Sequence, residues 1–485
     1  MFVNRQTELA FLNAVLERRR PTAAQLILLY GRRRVGKTVL LRHWAEASGV
    51  PHSYWAAEKE PAPLQRRKLF ARVLGVEPMQ APTFASWAAC WQAIASLLAG
   101  RRHVLILDEF TYAAESDPAT LSSLQHAWDQ LFKDSQLVII LCGSHVRTME
   151  MLQARQSPLF GRLTGQWHLQ PLPFAALREF LPTWPAEERV AAYAAVGGVP
   201  AYLEWLDPHR SFSDNIRDVI LAPGSMFVAE PAFLLYDEVR EPRAHLAVLK
   251  AIGAGYHTLS EIANASLVGK PHLSAYLARL QALRLVERRL PVTIPPSQRR
   301  RSRRGRYHLS DPYFRFYFRF IAPHQDELTY RPERALPSIY DGLRAFVGQT
   351  AFESLSQQWV AEQGRAGQLS LEFEIEEIEE IEEIEEVGSH WSRKVQVDVV
   401  GINWARRIIL LGECKWGVNP VGRSVVRELI EKTPKVLRDL PAAGEGWTAH
   451  YAFFARSGFT LAARAEAKTH SALLVDLERL DRDLM

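Results

Sequence analysis

The stretch Gly31-Arg32-Arg33-Arg34-Val35-Gly36-Lys37-Thr38 sets two glycines around four residues and ends in a lysine and a hydroxyl. That spacing suits a loop wrapped around the phosphates of a nucleotide. The glycines let backbone N–H groups curl onto a phosphate, and a helix beginning at the end of the loop adds partial positive charge. Lys37 is placed to reach the β and γ phosphates and the Thr38 hydroxyl to ligate magnesium. A plain glycine turn is the competing reading. The apolar run Gln25–Tyr30 before the loop and the helical periodicity of Val39–Ala47 after it favour phosphate binding. Further along, His103-Val-Leu-Ile-Leu-Asp108-Glu109 is a buried-strand pattern delivering two acids at its end. Asp108 is expected to hold magnesium, directly or through water, and Glu109 to polarise an attacking water. The separation leaves room for one more strand, so His52–Ala57 is placed between the two motif strands. Leu137–Cys142, ending in Gly143-Ser144-His145, reads as the next strand, and Ser144 either senses the γ phosphate or caps a helix.

A second set of chemistry-bearing residues lies near the other end. Lys394–Val400, carrying Asp398, and Ile408–Lys415, carrying Glu413 and Lys415, read as adjacent apolar strands joined by a turn. Residues i and i+2 of a strand share a face, so Glu413 and Lys415 are expected to point together while Cys414 faces the core. Asp398 and Glu413 can then share a divalent metal, with Lys415 beside a nucleophilic water or a scissile phosphate. The alternative is an edge hairpin with solvated charges.

These residues need scaffolds, and 485 residues exceed what one core organises. Residues 1–235 alternate short β-rich runs with helical periodicity, the pattern of an α/β domain with a mostly parallel sheet. Its strands are expected at Gln25–Tyr30, His52–Ala57, His103–Asp108, Leu137–Cys142 and Gln166–Leu169, with helices including Val39–Ala47 and Ser122–Phe132. Residues 236–325 read as three helices and two strands, a winged helix-turn-helix. Thr258–Ala263 is its short second helix, Gly269-Lys270-Pro271 a turn, and His272–Leu283 the third helix, with Leu273, Tyr276, Leu277 and Leu280 on one face. Lys270, Ser274 and Arg279 occupy the face opposite. Its two strands flank Gln298–Arg306, in which Arg299, Arg300, Arg301, Arg303, Arg304 and Arg306 form a phosphate-seeking patch at a hairpin tip or a solvated basic loop. Residues 326–485 begin with a helix around Ala345–Ala361 and become strand-rich from Lys394. They contain the acidic insertion 372–387, whose isoleucines recur every third residue and drift around a helix. That insertion reads as low-complexity sequence or as an acidic flap over a basic groove.

The net charge of +5 understates how basic the rest is, because the acidic insertion holds ten Glu; without them the chain stands at +15. Such a body suits a polyanionic partner. The three cysteines, Cys90, Cys142 and Cys414, are too scattered for a disulfide framework or a zinc site. No apolar run approaches the ~20 residues of a membrane span, and no secretory leader pattern opens the chain. A cytoplasmic protein with no membrane association is expected.

The opening Phe2-Val-Asn-Arg5-Gln-Thr-Glu8-Leu9, the two nucleotide motifs, Ser157-Pro-Leu-Phe-Gly161-Arg162 and Gly197-Gly198-Val-Pro200-Ala-Tyr202-Leu203 together resemble the archaeal-type ATPase family, a P-loop NTPase group related to AAA+ and STAND proteins. The resemblance spans about the first 320 residues and includes Leu309-Ser-Asp311-Pro-Tyr-Phe, similar to the segment closing that family's winged helix. It implies Pro200 near the adenine and Arg162 as an arginine finger, which a surface arginine beside a turn glycine would also explain. Oligomerisation follows by the same analogy. Residues 343–470 resemble the PD-(D/E)xK nuclease-like domain often joined to these ATPases. By that resemblance Glu353 completes the acid set, although Val397 stands where the motif's name implies a proline. The expectation is an ATP- and magnesium-dependent ATPase that processes double-stranded or branched DNA, with manganese an alternative metal at the nuclease site. An ATP-gated DNA-binding switch with a silent C-terminal domain is the competing expectation.

Overall fold

A computed structural model of the chain describes residues 2–18, 23–222, 224–231, 239, 241–369 and 384–485. The expected domain boundary near residue 235 and residues 372–383 of the acidic run lie outside these. The described chain falls into two compact units, one of residues 1–172 with 199–204, the other of residues 173–198 with 205–485. The three-helix basic region and the C-terminal sheet thus belong to one unit.

The first unit is built on a parallel sheet of β1 (Gln25–Tyr30), β2 (His52–Ala56), β3 (His103–Asp108), β4 (Leu137–Gly143) and β5 (Gly165–His168), in the order β2-β3-β4-β1-β5. β1, β3 and β4 are buried along their whole length, as continuous apolar runs covered on both faces should be. Leu26 and Leu28 face a core with Trp87, Trp91 and Phe132, while Ile27 and Leu29 face one with Leu12, Leu40 and Trp44. His52–Ala56 forms the strand between the motif strands along the chain, as expected, but in the sheet β4 lies between β1 and β3, and β2 is the edge strand. The reason is visible in composition. The ends and middle of His52-Ser-Tyr-Trp-Ala56 are partly exposed, whereas Leu137-Val-Ile-Ile-Leu-Cys can only be central.

In the second unit, helices Pro242–Gly253, Leu259–Ser266 and Lys270–Ala282 pack beside the antiparallel pair β6 (Val286–Arg289) and β7 (Arg306–Leu309). Thr258 caps the second helix, its hydroxyl accepting from Glu261 N–H and the Glu261 carboxylate accepting from Thr258 N–H. Lys270 and Pro271 begin the third helix instead of forming a turn, because proline fits the first helical turn, where no backbone donor is needed. Leu273, Leu277 and Leu280 are its buried face; Tyr276 is only partly covered, and its hydroxyl donates to Glu241.

The same unit carries a mixed sheet of β8 (Glu386–Trp391), β9 (Gln396–Asn403), β10 (Ile408–Lys415), β11 (Thr448–Ala455) and β12 (Leu473–Asp476), in the order β12-β11-β10-β9-β8. β8, β9 and β10 run antiparallel in sequence, and β11 and β12 join parallel to β10. Helix Arg423–Leu437 packs its Val426, Leu429 and Val436 on Val397, Val400, Ile409 and Leu411. The segment expected to be one helix from Ala345 to Ala361 is Pro332–Val347, a wider turn Gly348–Phe352, and Glu353–Arg365. No helix among the described residues is long and apolar enough to cross a membrane.

Candidate nucleotide site and C-terminal acid cluster

Because β3, β4 and β1 are neighbours and parallel, their C-terminal ends bring the phosphate loop, Asp108-Glu109 and Ser144 to one edge of the sheet. Gly31 is required by packing, since a β-carbon there would stand 2.4 Å from the Leu169 carbonyl oxygen. Gly36, with φ of +91°, turns the loop into the Lys37–Ala47 helix. Arg5 supports the loop from behind: its guanidinium donates to Val35 O at 2.9 Å, Gln170 O at 2.9 Å and Glu8 at 2.8 Å. The sequence marked Arg5 and Glu8 only as part of a resemblance, and their contacts supply the physical reason.

Lys37 curls over the loop, its Nζ donating to Gly31 O at 2.9 Å and Arg32 O at 3.0 Å. Burial lowers its pKa, against the raising influence of Cys142, Glu109 and Asp108. The Thr38 hydroxyl donates to Asp108 Oδ2 at 2.8 Å, and Glu109 N–H donates to Asp108 Oδ1 at 2.9 Å. Tyr54, at the edge strand, donates to the same Oδ2 at 2.6 Å, and burial with that bond pushes its own pKa up. Sequence reasoning missed Tyr54, because no motif links β2 to β3. Glu109 sits at a positive φ of 47° and accepts from both the hydroxyl and the N–H of Ser144. Ser144 therefore contacts the second acid, and the helix that follows has His145 before its first residue. Arg32 and Arg33 lean away from the loop to donate to the hydroxyls of Tyr202 at 3.4 Å and Tyr112 at 3.2 Å. Arg34 takes a positive φ of 69°, and Pro200 Cγ lies 3.8 Å from where a β-carbon on Gly36 would stand. Arg162 is not brought to this edge by any hydrogen bond. Its Nε and one η nitrogen donate to the two carboxylate oxygens of Asp129, at 2.9 and 2.7 Å, and its other η nitrogen donates to Pro158 O and Phe160 O.

In the second unit, Asp398 and Glu413 meet on neighbouring strands. Asp398 Oδ2 accepts from Cys414 N–H at 3.0 Å, and its carbonyl accepts from Gln357 on the Glu353–Arg365 helix at 2.7 Å. Lys415 Nζ donates to Glu413 Oε1 at 2.7 Å, as the shared strand face requires, and Lys432 approaches Glu413 Oε2 at 3.5 Å. Cys414 faces the other way, its thiol pKa pushed up by burial and by Asp398 and Glu353. Burial and the charges of Asp398 and Glu413 push Glu353 up to about 9; burial and Glu413 push Asp398 up to about 6. Glu353 thus reaches the pair electrostatically. Among the described residues no group of three or more His, Cys, Asp or Glu side chains is gathered closely enough to hold a metal. The arrangement is a pair of acids on adjacent strands with a third within electrostatic reach, and burial with mutual repulsion raises the cost of their charge.

The arginine loop departs from the expected free tip. Residues 291–294 are buried, a short helix Pro296–Arg299 follows, and Val292 N–H donates to Ser389 O of the edge strand β8 at 3.0 Å. Arg299 forks onto Glu386, Arg304 binds Asp439 at 2.9 Å and Trp391 O at 2.5 Å, and Arg306 lies over the Trp391 ring at 5.1 Å. An apolar start drew the loop onto an open sheet edge, and acids beside that edge took two of its arginines. Arg300, Arg301 and Arg303 remain exposed.

Residues 2–206 match the model of a family described as an ATPase domain predominantly from Archaea, and residues 317–421 that of "Archaea bacterial proteins of unknown function". An uncharacterized protein of Methanocaldococcus jannaschii is 30% identical over 420 residues, 86% of this chain and 88% of that protein. An uncharacterized ATP-binding protein of the same organism is 55% identical over 47 residues, 10% of this chain and 73% of that protein. Among solved structures, the Walker-type ATPase of Pyrococcus abyssi aligns with a TM-score of 0.48 at 21% identity, covering 66% of this chain and 96% of that one. The ORC2 protein of Aeropyrum pernix, solved as ADPNP–ADP complexes, aligns at 0.43 and 15% identity, covering 70% and 95%.

Proposed function

Because this chain belongs to the ATPase family found predominantly in Archaea, we propose that it binds and hydrolyses ATP at Gly31–Thr38 and uses the nucleotide to control DNA binding and cleavage by the second unit. The observation that carries the ATPase reading is the hydrogen-bonded chain Thr38, Asp108, Glu109 and Ser144 along one sheet edge. Lys37 leaves two carbonyls to bind the β and γ phosphates. Thr38 and Asp108 would hold the magnesium carried with ATP, which would supply charge that offsets the phosphates. Glu109 orients the attacking water and Ser144 holds Glu109 in place. Arg162 acts as a finger only after leaving Asp129, which makes a partner subunit or a nucleotide-dependent movement part of this reading.

In the second unit, Asp398 and Glu413 would hold a divalent ion, Glu353 assist them, and Lys415 meet the phosphodiester, while the three-helix module and Arg300, Arg301 and Arg303 grip DNA. The metal, when bound, lowers the pKa of a water and braces charge on the phosphate. A silent C-terminal domain on an ATP-gated DNA-binding regulator is the second reading, favoured by Glu413 already being paired with two lysines. Purified full-length protein incubated with ATP, magnesium or manganese, and linear, circular and branched DNA separates them on a denaturing gel. Metal-dependent nicks support cleavage; phosphate release from ATP with every DNA form intact leaves the regulator.

A further inference from the structure

We propose that one face of the β6–β7 hairpin, formed by Arg289, Arg306 and His308 with His257 stacked on it and Arg315 beside it, is a binding site for a phosphate oxyanion. Arg289 and Arg306 stand directly opposite each other in the ladder, as do Glu287 and His308 two residues along, so all four side chains share a face. Two like charges opposed across an antiparallel pair repel. His257 stacks on His308 with ring centroids 4.2 Å apart, and its Nδ1 lies 2.8 Å from Tyr307 O.

Arg315 adds a third guanidinium. One of its η nitrogens donates to Ser310 O at 3.3 Å, but its buried Nε has no hydrogen-bond partner. The acids nearby do not balance these cations. Glu287 pairs with Arg289, and Glu261 accepts the N–H groups of His257 and Thr258. The consequence is felt across the cluster. Burial, with His257, Arg289, Arg315 and Arg306 around it, pushes His308 down to about 2, and burial with Arg289 pushes Arg315 down to about 10. An anion bridging Arg289 and Arg306 removes the repulsion, and planar guanidiniums match phosphate oxygens in pairs.

This site is on the paired strands, where the ladder opens into the loop that carries the exposed Arg300, Arg301 and Arg303. Arg289 is also close enough to Glu353 to oppose the rise in its pKa, so a phosphate held here lies within electrostatic reach of the C-terminal acids. The phosphate can belong to a nucleic-acid backbone or be free. The nucleic-acid source rests on the DNA reading above, and the free-phosphate source does not.

The test uses full-length protein carrying Lys37→Ala, which removes the phosphate loop as a competing site, with and without Arg289→Gln and Arg306→Gln together. Inorganic phosphate is titrated by calorimetry, and a short duplex oligonucleotide by anisotropy over a salt series. Arg289 is exposed and Arg306 half-buried over the Trp391 ring, so the thermal melt of the double variant is compared with that of its parent, and Arg315→Lys, which keeps the charge, serves as the conservative check. If backbone phosphate is the source, the double substitution weakens the duplex about tenfold or more and lowers the log–log salt slope by roughly 1.8. If free phosphate is the source, the double substitution raises its Kd about tenfold while duplex binding and slope stay unchanged. Failure of the Lys37→Ala protein to bind either probe overturns the site, as does binding of both probes unchanged by the double substitution. DNA cleavage by a protein whose duplex and phosphate binding ignore these arginines would sink this site and leave the functional reading standing.

Discussion

The chain positions two acid pairs at strand ends, and it treats them in opposite ways. At the nucleotide edge, Asp108 is surrounded by donors from Thr38, Tyr54 and Glu109 N–H, and Glu109 by two donors from Ser144. In the second unit, Asp398 has one backbone donor, Glu413 is taken by lysines, and Glu353 has acids as its electrostatic neighbours. Neutral donors organise a carboxylate without removing its charge. Crowding makes the charge expensive until a cation arrives. The first pair is thus held by neutral donors, and the second by lysines and by the repulsion of its own acids.

The sharpest way to test the preorganised pair is to remove its parts separately. Lys37→Ala should raise the ATP Kd by about 100-fold or more, since it deletes a charge-assisted phosphate contact. Glu109→Gln should keep ATP affinity within about threefold and lower turnover about 100-fold or more, because only the water-orienting charge is lost. Equilibrium binding and phosphate release measure both, and ordinary turnover by Glu109→Gln would remove that residue from the mechanism.

For the crowded pair, Asp398→Ala and Lys415→Ala should each reduce any metal-dependent DNA cleavage by about 100-fold or more while ATP hydrolysis stays within about twofold. Equal cutting by Asp398→Ala and wild type on a denaturing gel means that the nuclease activity lies elsewhere.

Proton linkage gives a comparison that needs no substrate. Glu353 and Asp398 have folded pKa values raised to about 9 and about 6, above the ordinary 4.5 and 3.8. A raised folded value contributes stability below the unfolded pKa that is lost as pH rises through the folded one. Metal-free protein should therefore lose stability between about pH 4.5 and about pH 9, magnesium or manganese should counter the loss at the alkaline end, and Glu353→Gln should flatten the upper part of the slope. Denaturant melts over that range, with chelator and with metal, decide it; a slope identical in Glu353→Gln would mean that Glu353 is not the titrating group.

The smallest expected effect concerns Arg162. Its pair with Asp129 is partly exposed, 25% and 41% by side chain, so Asp129→Ala should cost at most about 1 kcal/mol of stability. If Arg162 completes a neighbouring ATP site, mixing Arg162→Ala with Glu109→Gln protein should restore hydrolysis that neither has alone. A mixture as inactive as its components argues against a finger acting between subunits.

Much of this was legible in the linear chain because it is local. The phosphate loop, its flanking strand and helix, and the acids closing His103–Asp108 are contiguous residues whose dihedrals and burial follow from short-range pattern. The same is true of Glu413 and Lys415, which share a strand face by alternation alone and are found 2.7 Å apart. What could not be read were the pairings between distant segments. Strand order put β4 between the motif strands, the edge strand delivered Tyr54 to Asp108, and an apolar entry to the arginine loop fastened it to β8.

The sequence by itself determined which residues were capable of chemistry and the local element that carries each. Only the tertiary structure decided their neighbours: Arg162 with Asp129, Arg299 with Glu386, and Arg289 opposite Arg306 with Arg315 nearby. The reason is physical. Backbone preference and hydrophobic period act over a few residues, whereas the charge that a side chain meets depends on how buried surfaces far apart in the chain come to pack.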